Sequence, residues 1–160
     1  AWELAQRATR LGRPPVQLFA ISAGAPDTEV PAIEGLHERS DDDLVVAVAA
    51  AFGGLEATPI TPALIAAVVP GLRADLEILN SYQYAAAPRL PCPIGVFAGH
   101  GDPIAPLAAL EAWRGHTDGA FFLRRFPGGH FFFRDARDAV VSDIVAALGH
   151  RRDLAELARR

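Results

Sequence analysis

Three short apolar segments constrain the fold of this chain more than any other feature of its sequence: Val16–Ser22, Cys92–Gly99 and Ala120–Phe126. Short runs of this kind are typical of strands that are buried on both faces of a parallel sheet. Arg124 and Arg125 interrupt the last run, which indicates an exposed edge of that sheet. Helical segments separate the runs, so the sequence predicts an α/β fold with parallel strands, flanking helices and right-handed crossovers.

The helices that flank this sheet are predicted at three places. Ala1–Leu11 has apolar residues at spacings of three and four, and a glycine and two prolines end it. Pro106–Gly115 lies between the second and third strands, and Asp135–Leu148 closes the core.

A group of helices interrupts the alternation of strands and helices. After a Gly/Pro-rich loop at Ala23–Gly35, Ser40 is predicted to cap a helix whose first turn, Asp41–Asp43, complements the helix dipole. Two more helices are predicted over Pro62–Val68 and Pro70–Tyr82, because a proline stands at or near each first turn. These helices contribute no strand, so we interpret them as an inserted lid.

One domain accounts for the whole chain, because 160 residues with 51% hydrophobic content can form one sizeable core. We expect core segments at 1–35 and 85–150, a lid insertion at approximately 36–84, and a charged tail at 151–160.

Composition and charge exclude several classes of partner. The net charge is −4 and no basic stripe is present, which argues against nucleic acid. No apolar run reaches the about 18 residues that cross a bilayer. Residues 1–13 carry charges throughout and do not resemble a signal peptide. The single cysteine, Cys92, suits a reducing compartment, so a cytoplasmic location is expected.

Asp102 and His130 are the residues most suggestive of catalysis. Asp102 follows the second strand in the run Gly99–Pro103, and His130 follows the third strand after two glycines. Each residue also has an ordinary interpretation, because Asp-Pro is common in turns and helix caps, and a histidine among phenylalanines can be part of a core. Together they are more informative, because open parallel sheets place their active sites at the carboxyl ends of strands.

The order of the two residues fits one known arrangement. In α/β-hydrolases the catalytic acid follows the penultimate strand and the histidine follows the last strand. An acid at Asp102 would fix the tautomer of His130, and the other ring nitrogen could then take a proton from a serine.

Several segments resemble type II thioesterases, the stand-alone thioesterases of polyketide and nonribosomal peptide assembly lines. The more specific matches are the run Phe126–Phe133 (FPGGHFFF) and the string formed by Pro91–Pro103 and Leu110–Thr117. The other matching segments are Leu36–Val45 and Leu72–Tyr84.

The resemblance implies an α/β-hydrolase fold in which Asp102 and His130 belong to the catalytic triad under a helical lid. The nucleophilic serine of that family precedes a helix that Ala1–Ala5 matches, so it is expected just upstream of Ala1 and is not in this chain. Ser22 stands in an A-x-S-x-G pattern after a strand, but Gly24 and Pro26 oppose the helix that a nucleophile elbow requires.

The implied activity is hydrolysis of acyl groups from the phosphopantetheine arms of acyl or peptidyl carrier proteins, without a metal or other cofactor. Four lid residues are expected to line the acyl path: Leu64, Val68, Val69 and Leu72. The 160 residues alone are expected to be inactive. Two alternatives remain open, another esterase or acyl hydrolase with this fold and a non-catalytic, hydrolase-like remnant.

Overall fold

The three predicted strands form one parallel sheet in the computed structural model, which describes residues 1–53 and 59–157. Strand β1 is Leu18–Ile21, β2 is Ile94–Gly99 and β3 is Phe121–Phe126. Their order in the sheet is β1-β2-β3. All six residues of β2 are buried, as expected for the central strand.

The register of the strands brings their carboxyl ends to one edge. Ile21 pairs with Phe97 and Gly99 pairs with Phe126. The residues that follow each strand therefore lie close together in space, although they are far apart in the chain.

Side chains alternate between the two faces of the sheet. Ile94 and Val96 pack on the face covered by helix α1 (Trp2–Arg10). Phe97 packs on the opposite face with Phe132 and Val140, the latter from the last helix. Complete burial of one such side chain stabilises the fold by roughly 1.5–3 kcal/mol.

The remaining α-helices of the described chain are α2 (Asp41–Phe52), α3 (Pro62–Ser81), α4 (Leu107–Glu111) and α5 (Arg137–Leu157). Short 3-10 turns cover Pro31–Ile33, Leu36–Glu38, Ala112–His116 and Phe132–Arg134. The predicted helix Pro106–Gly115 thus divides into α4 and a 3-10 turn, which is common at helix ends. The last helix starts later than predicted and extends into the predicted tail, of which residues 158–160 lie outside the described part.

The predicted cap of α2 is confirmed. The hydroxyl oxygen of Ser40 accepts a hydrogen bond from the amide of Asp43 at 3.3 Å. At the other end Gly53 follows the helix, and the amide of Gly53 donates to Ala49. The next residue, Gly54, lies outside the described residues.

The two helices predicted on either side of Pro70 are in fact one. Helix α3 runs through Pro70 without a break. A proline inside a helix costs a hydrogen bond. Packing offsets that cost, because Val69 and Leu76 on either side of it are buried in one cluster with Leu44 and Val45 of α2. Tertiary contacts therefore override the local preference.

Arg73 joins helix α3 to the start of helix α2. Its guanidinium donates to the carbonyl oxygens of His37 and Arg39 and forms an ion pair with Asp41 at 2.7 Å. One planar side chain of α3 thus holds the turn that leads into α2.

No helix among residues 1–53 and 59–157 is long and apolar enough to cross a membrane.

Candidate active site

Asp102 lies in the turn that follows β2. Its carboxylate is fully buried, and Oδ1 accepts a hydrogen bond from the amide of Ile104 at 3.0 Å. Asp102 therefore has the turn-stabilising role that Asp-Pro sequences commonly have. The same carboxylate also faces the loop that carries His130, so the structural and the functional interpretation are compatible.

Glycines allow the loop of His130 to approach β2. A side chain at Gly99 would lie against the carbonyl oxygens of Gly128 and Gly129. The amide of Gly101 donates to the carbonyl oxygen of Gly128 at 2.9 Å, and Gly128 has a φ of +111° that other residues rarely adopt. The glycine-rich sequence thus lets the loop cross the end of the neighbouring strand.

Asp102 and His130 form a hydrogen-bonded pair. Nδ1 of His130 lies 3.1 Å from Oδ2 and 3.2 Å from Oδ1 of Asp102. A carboxylate is an acceptor, so Nδ1 carries a proton and Nε2 of the neutral ring can act as a base. The imidazole side chain is 16% exposed, which leaves it accessible from the outside.

Two phenylalanines pack against the imidazole. Phe52, the last residue of α2, meets the ring of His130 edge to face, with 4.9 Å between centroids. Phe131 contacts the same ring at 5.2 Å. Helix α2 therefore contributes an aromatic side chain directly beside the candidate base.

Ser22 follows β1 at the same edge of the sheet. Its hydroxyl donates to the carbonyl oxygen of His130 at 2.8 Å. The residues after Ser22 form turns and loop up to the 3-10 turn at Pro31–Ile33. A nucleophile elbow leads directly into a helix, so Ser22 does not have the setting of a nucleophile.

The other serines lie away from the pair. The chain has four serines, and all are in the described part. Ser40 caps α2, Ser81 donates to Ile78 at the end of α3, and Ser142 lies in α5. No hydrogen bond joins any of these four serines to the imidazole of His130.

The four lid residues expected to line an acyl path occupy different environments. Val69 is buried in the cluster that contains Leu44 and Val45 of α2, and Leu72 packs against the same cluster. Val68 is 39% exposed, and Leu64 is partly buried. A cavity of about 500 Å³ lies elsewhere, between the loop after β1 and the end of α3, and its described lining includes neither these residues nor the Asp102–His130 pair.

A second histidine–carboxylate pair was not predicted from the sequence. His116 is buried, and its Nε2 lies 2.8 Å from Oδ1 of Asp27. The rings of Trp2 and Trp113 pack against it, and the indole of Trp113 donates to Ala23. This pair joins the loop after β1 to the sheet core.

No group of three or more His, Cys, Asp or Glu side chains converges as a metal site among the residues that the structure describes.

Comparison with known proteins identifies the family. A family model described as "Thioesterase domain" matches residues 1–148. The chain is 33% identical to the probable cadicidin biosynthesis thioesterase of Streptomyces griseus over 148 residues, which is 92% of this chain and 40% of that protein. It is 40% identical to thioesterase PikA5 of Streptomyces venezuelae over 81 residues, which is 51% of this chain and 29% of that protein.

Two solved structures are also similar. The type II thioesterase BorB of the borrelidin biosynthetic cluster superposes with a TM-score of 0.80 at 32% identity, over 91% of this chain and 59% of BorB. The RedJ thioesterase of the prodiginine pathway in Streptomyces coelicolor gives a TM-score of 0.80 at 33% identity, over 89% of this chain and 57% of RedJ.

These matches confirm the predicted fold class and the resemblance to type II thioesterases. The chain spans less than half the length of the curated relatives named above, 40% and 29%. Because the family model covers residues 1–148, the chain belongs to the thioesterase domain family.

Proposed function

We propose that the intact protein is a type II thioesterase that releases acyl groups from the phosphopantetheine arms of acyl or peptidyl carrier proteins. The observation that supports this most is the Asp102–His130 pair, at 3.1 Å, beside a lid. The proposed division is a hydrolase core at 1–35 and 85–150 and a lid at about 36–84. The single cysteine is compatible with a cytoplasmic location.

In the proposed mechanism a serine supplied by the intact protein, expected just before Ala1, attacks the thioester carbonyl. Nε2 of His130 takes the hydroxyl proton as the C–O bond forms. The tetrahedral intermediate then breaks its C–S bond, and His130 returns the proton to the departing thiol. A water molecule attacks the acyl-enzyme with His130 again as base, which releases the carboxylic acid and restores the serine.

Asp102 has two functions in this mechanism. Its carboxylate holds Nδ1–H, so the basic nitrogen is always Nε2, and its charge stabilises the imidazolium that forms in each step. A correctly positioned base of this kind contributes roughly 10²–10⁴ in rate. No metal or organic cofactor takes part in these steps.

The lid would supply the apolar environment for the acyl group. Phe52 stands beside His130, and an acyl chain attached near that ring would pass next to it. We include Leu64, Val68, Val69 and Leu72 of α3 in the proposed acyl path. Val68 is the most exposed apolar side chain of the four, and Val69 would act by shaping the lid from within.

The test compares two substrates of the intact protein that share one acyl group, an acyl-pantetheine thioester and a simple ester. A thioesterase should have the higher kcat/KM with the pantetheine thioester. A preference for the simple ester would indicate another acyl hydrolase, and hydrolysis of neither would indicate a non-catalytic member of the family.

A further inference from the structure

The end of β1 is joined to the main chain of His130. Ser22 is 6% exposed, and its amide donates to the carbonyl oxygen of Phe97 at 2.8 Å. Its hydroxyl donates to the carbonyl oxygen of His130 at 2.8 Å, across 108 residues of sequence. Both the main chain and the side chain of Ser22 are therefore fixed.

The backbone of Ser22 adopts an unusual conformation. Its φ is +49°, and it is the single non-glycine residue with a positive φ in the described part of the chain. A positive φ is unfavourable for a serine, so this conformation persists only where the surrounding structure holds it. The hydrogen bond to His130 is a contact that this conformation makes possible.

The loop of His130 is held from the ends of the two other strands, β1 and β2. On the β2 side the amide of Gly101 donates to Gly128, which fixes the loop before His130. On the β1 side Ser22 bonds the peptide of His130 itself. The loop then turns back, because the amide of Phe132 donates to the carbonyl oxygen of Gly129 at 3.1 Å.

We propose that Ser22 is a positioning residue that fixes the main chain of His130, so that its imidazole stays within hydrogen-bond distance of Asp102. This inference rests on the proposed thioesterase function. The Nδ1–carboxylate distances are 3.1 and 3.2 Å. Hydrogen bonds from N–H groups to oxygen extend to about 3.2 Å. The two distances are therefore already near the upper limit, and a small displacement of the peptide weakens the pair.

Two variants distinguish the effect of losing the hydroxyl from the effect of the strained backbone. Ser22→Gly removes the hydroxyl and accepts a positive φ without strain, whereas Ser22→Ala removes the hydroxyl and keeps the strain. Thr28→Ala is the matched control, because Thr28 donates its hydroxyl to Ala25 at 2.6 Å in the same loop and does not contact His130.

The intact protein and these variants are compared by kcat and KM with an acyl-pantetheine substrate. The proton resonance of His130 Nδ1–H is measured on the same samples by NMR. We expect Ser22→Gly and Ser22→Ala to lower kcat by about tenfold, on the order of one hydrogen bond, with KM little changed. The Nδ1–H resonance should move upfield in both variants, and Thr28→Ala should change neither quantity.

An unchanged Nδ1–H resonance in folded Ser22→Gly would overturn the positioning role, even if the variant were less stable. Wild-type kcat in that variant would also overturn it. If the intact protein hydrolyses no thioester but the resonance still moves, the positioning role stands and the proposed function fails.

Discussion

The ring of Phe52 stands nearly perpendicular to the imidazole of His130, at 83° and 4.9 Å between centroids. Phe52 ends helix α2 of the proposed lid, whereas His130 follows the last strand of the sheet. This contact places the end of α2 directly beside the candidate base. A change in α2 can thus alter the surroundings of His130 without a change in the sheet.

Phe52→Ala should weaken the binding of long acyl chains. Each CH₂ group of an acyl chain that is buried against an apolar side chain contributes about 0.8 kcal/mol. We expect KM for a long-chain acyl-pantetheine to rise by roughly two- to tenfold, with little change for an acetyl thioester. The control is Val46→Ala on the same helix, where the residue is 57% exposed. Equal effects on the acetyl and long-chain substrates would contradict the acyl contact.

Asp102→Asn should abolish most activity and keep the fold. The amide of Ile104 donates to Oδ1 of residue 102, so the asparagine oxygen stays there and its NH₂ group faces the imidazole. His130 must then accept at Nδ1 and carry its proton on Nε2, which can no longer act as a base. We expect kcat to fall on the order of 10³–10⁴-fold.

The control for this substitution is Asp118→Asn, where the carboxylate is 68% exposed in a surface pair with Arg89. It should leave kcat unchanged. Circular dichroism should show the same fold in both variants. Near-wild-type turnover in Asp102→Asn would remove the carboxylate from the mechanism.

Arg73→Lys should loosen the lid locally. Lysine lacks the planar fork with which Arg73 reaches two carbonyl groups and Asp41. Because Asp41 is 62% exposed, we expect a loss of only about 1–2 kcal/mol. Hydrogen exchange should accelerate in α2 and α3 but not in β2. The control is Arg137→Lys, in an exposed pair with Asp138, which should not change the exchange rates. Equal acceleration of exchange in β2 would show that the effect of Arg73 is not local.

Tyr82 should ionise at an unusually high pH. Burial, with a hydrogen bond to Glu3 at 2.8 Å, raises the pKa of Tyr82 from 10.0 to about 12. Because the folded-state pKa is above the unfolded value, the associated stabilisation is complete below pH 10 and is lost as pH rises through about 12.

The ultraviolet absorbance of tyrosinate checks this prediction, because the chain has two tyrosines. A phase near pH 12 should disappear in Tyr82→Phe and persist in Tyr84→Phe. Glu3→Gln should move the phase to lower pH. A late phase that survives Tyr82→Phe would contradict the assignment.

The sequence predicted those features of the fold that depend on local patterns or on general rules of parallel sheets. The three strands follow from their apolar runs, and the proximity of Asp102 and His130 follows from the meeting of strand ends at one edge. The register was not predictable, because it depends on contacts between residues far apart in the chain.

Contacts between residues far apart in the sequence explain why other features were not predicted. His116 binds Asp27 across 89 residues, and nothing in the Gly/Pro-rich loop marks Asp27 as its partner. Pro70 was expected to begin a helix, but the packing of Val69 and Leu76 carries α3 through it. The acyl-path residues were chosen by composition alone, which does not show that Val69 faces the core of the lid while Val68 is more exposed.

The catalytic role of His130 is tested most directly by the rate at which the intact protein releases acid from an acylated carrier protein, measured for wild type, His130→Ala and His100→Ala. His100 is an exposed histidine at the same edge of the sheet and serves as the control. We expect His130→Ala to slow release by at least about 10²-fold without loss of fold, and His100→Ala to release acid at the wild-type rate. Wild-type release by folded His130→Ala would show that His130 is not the catalytic base.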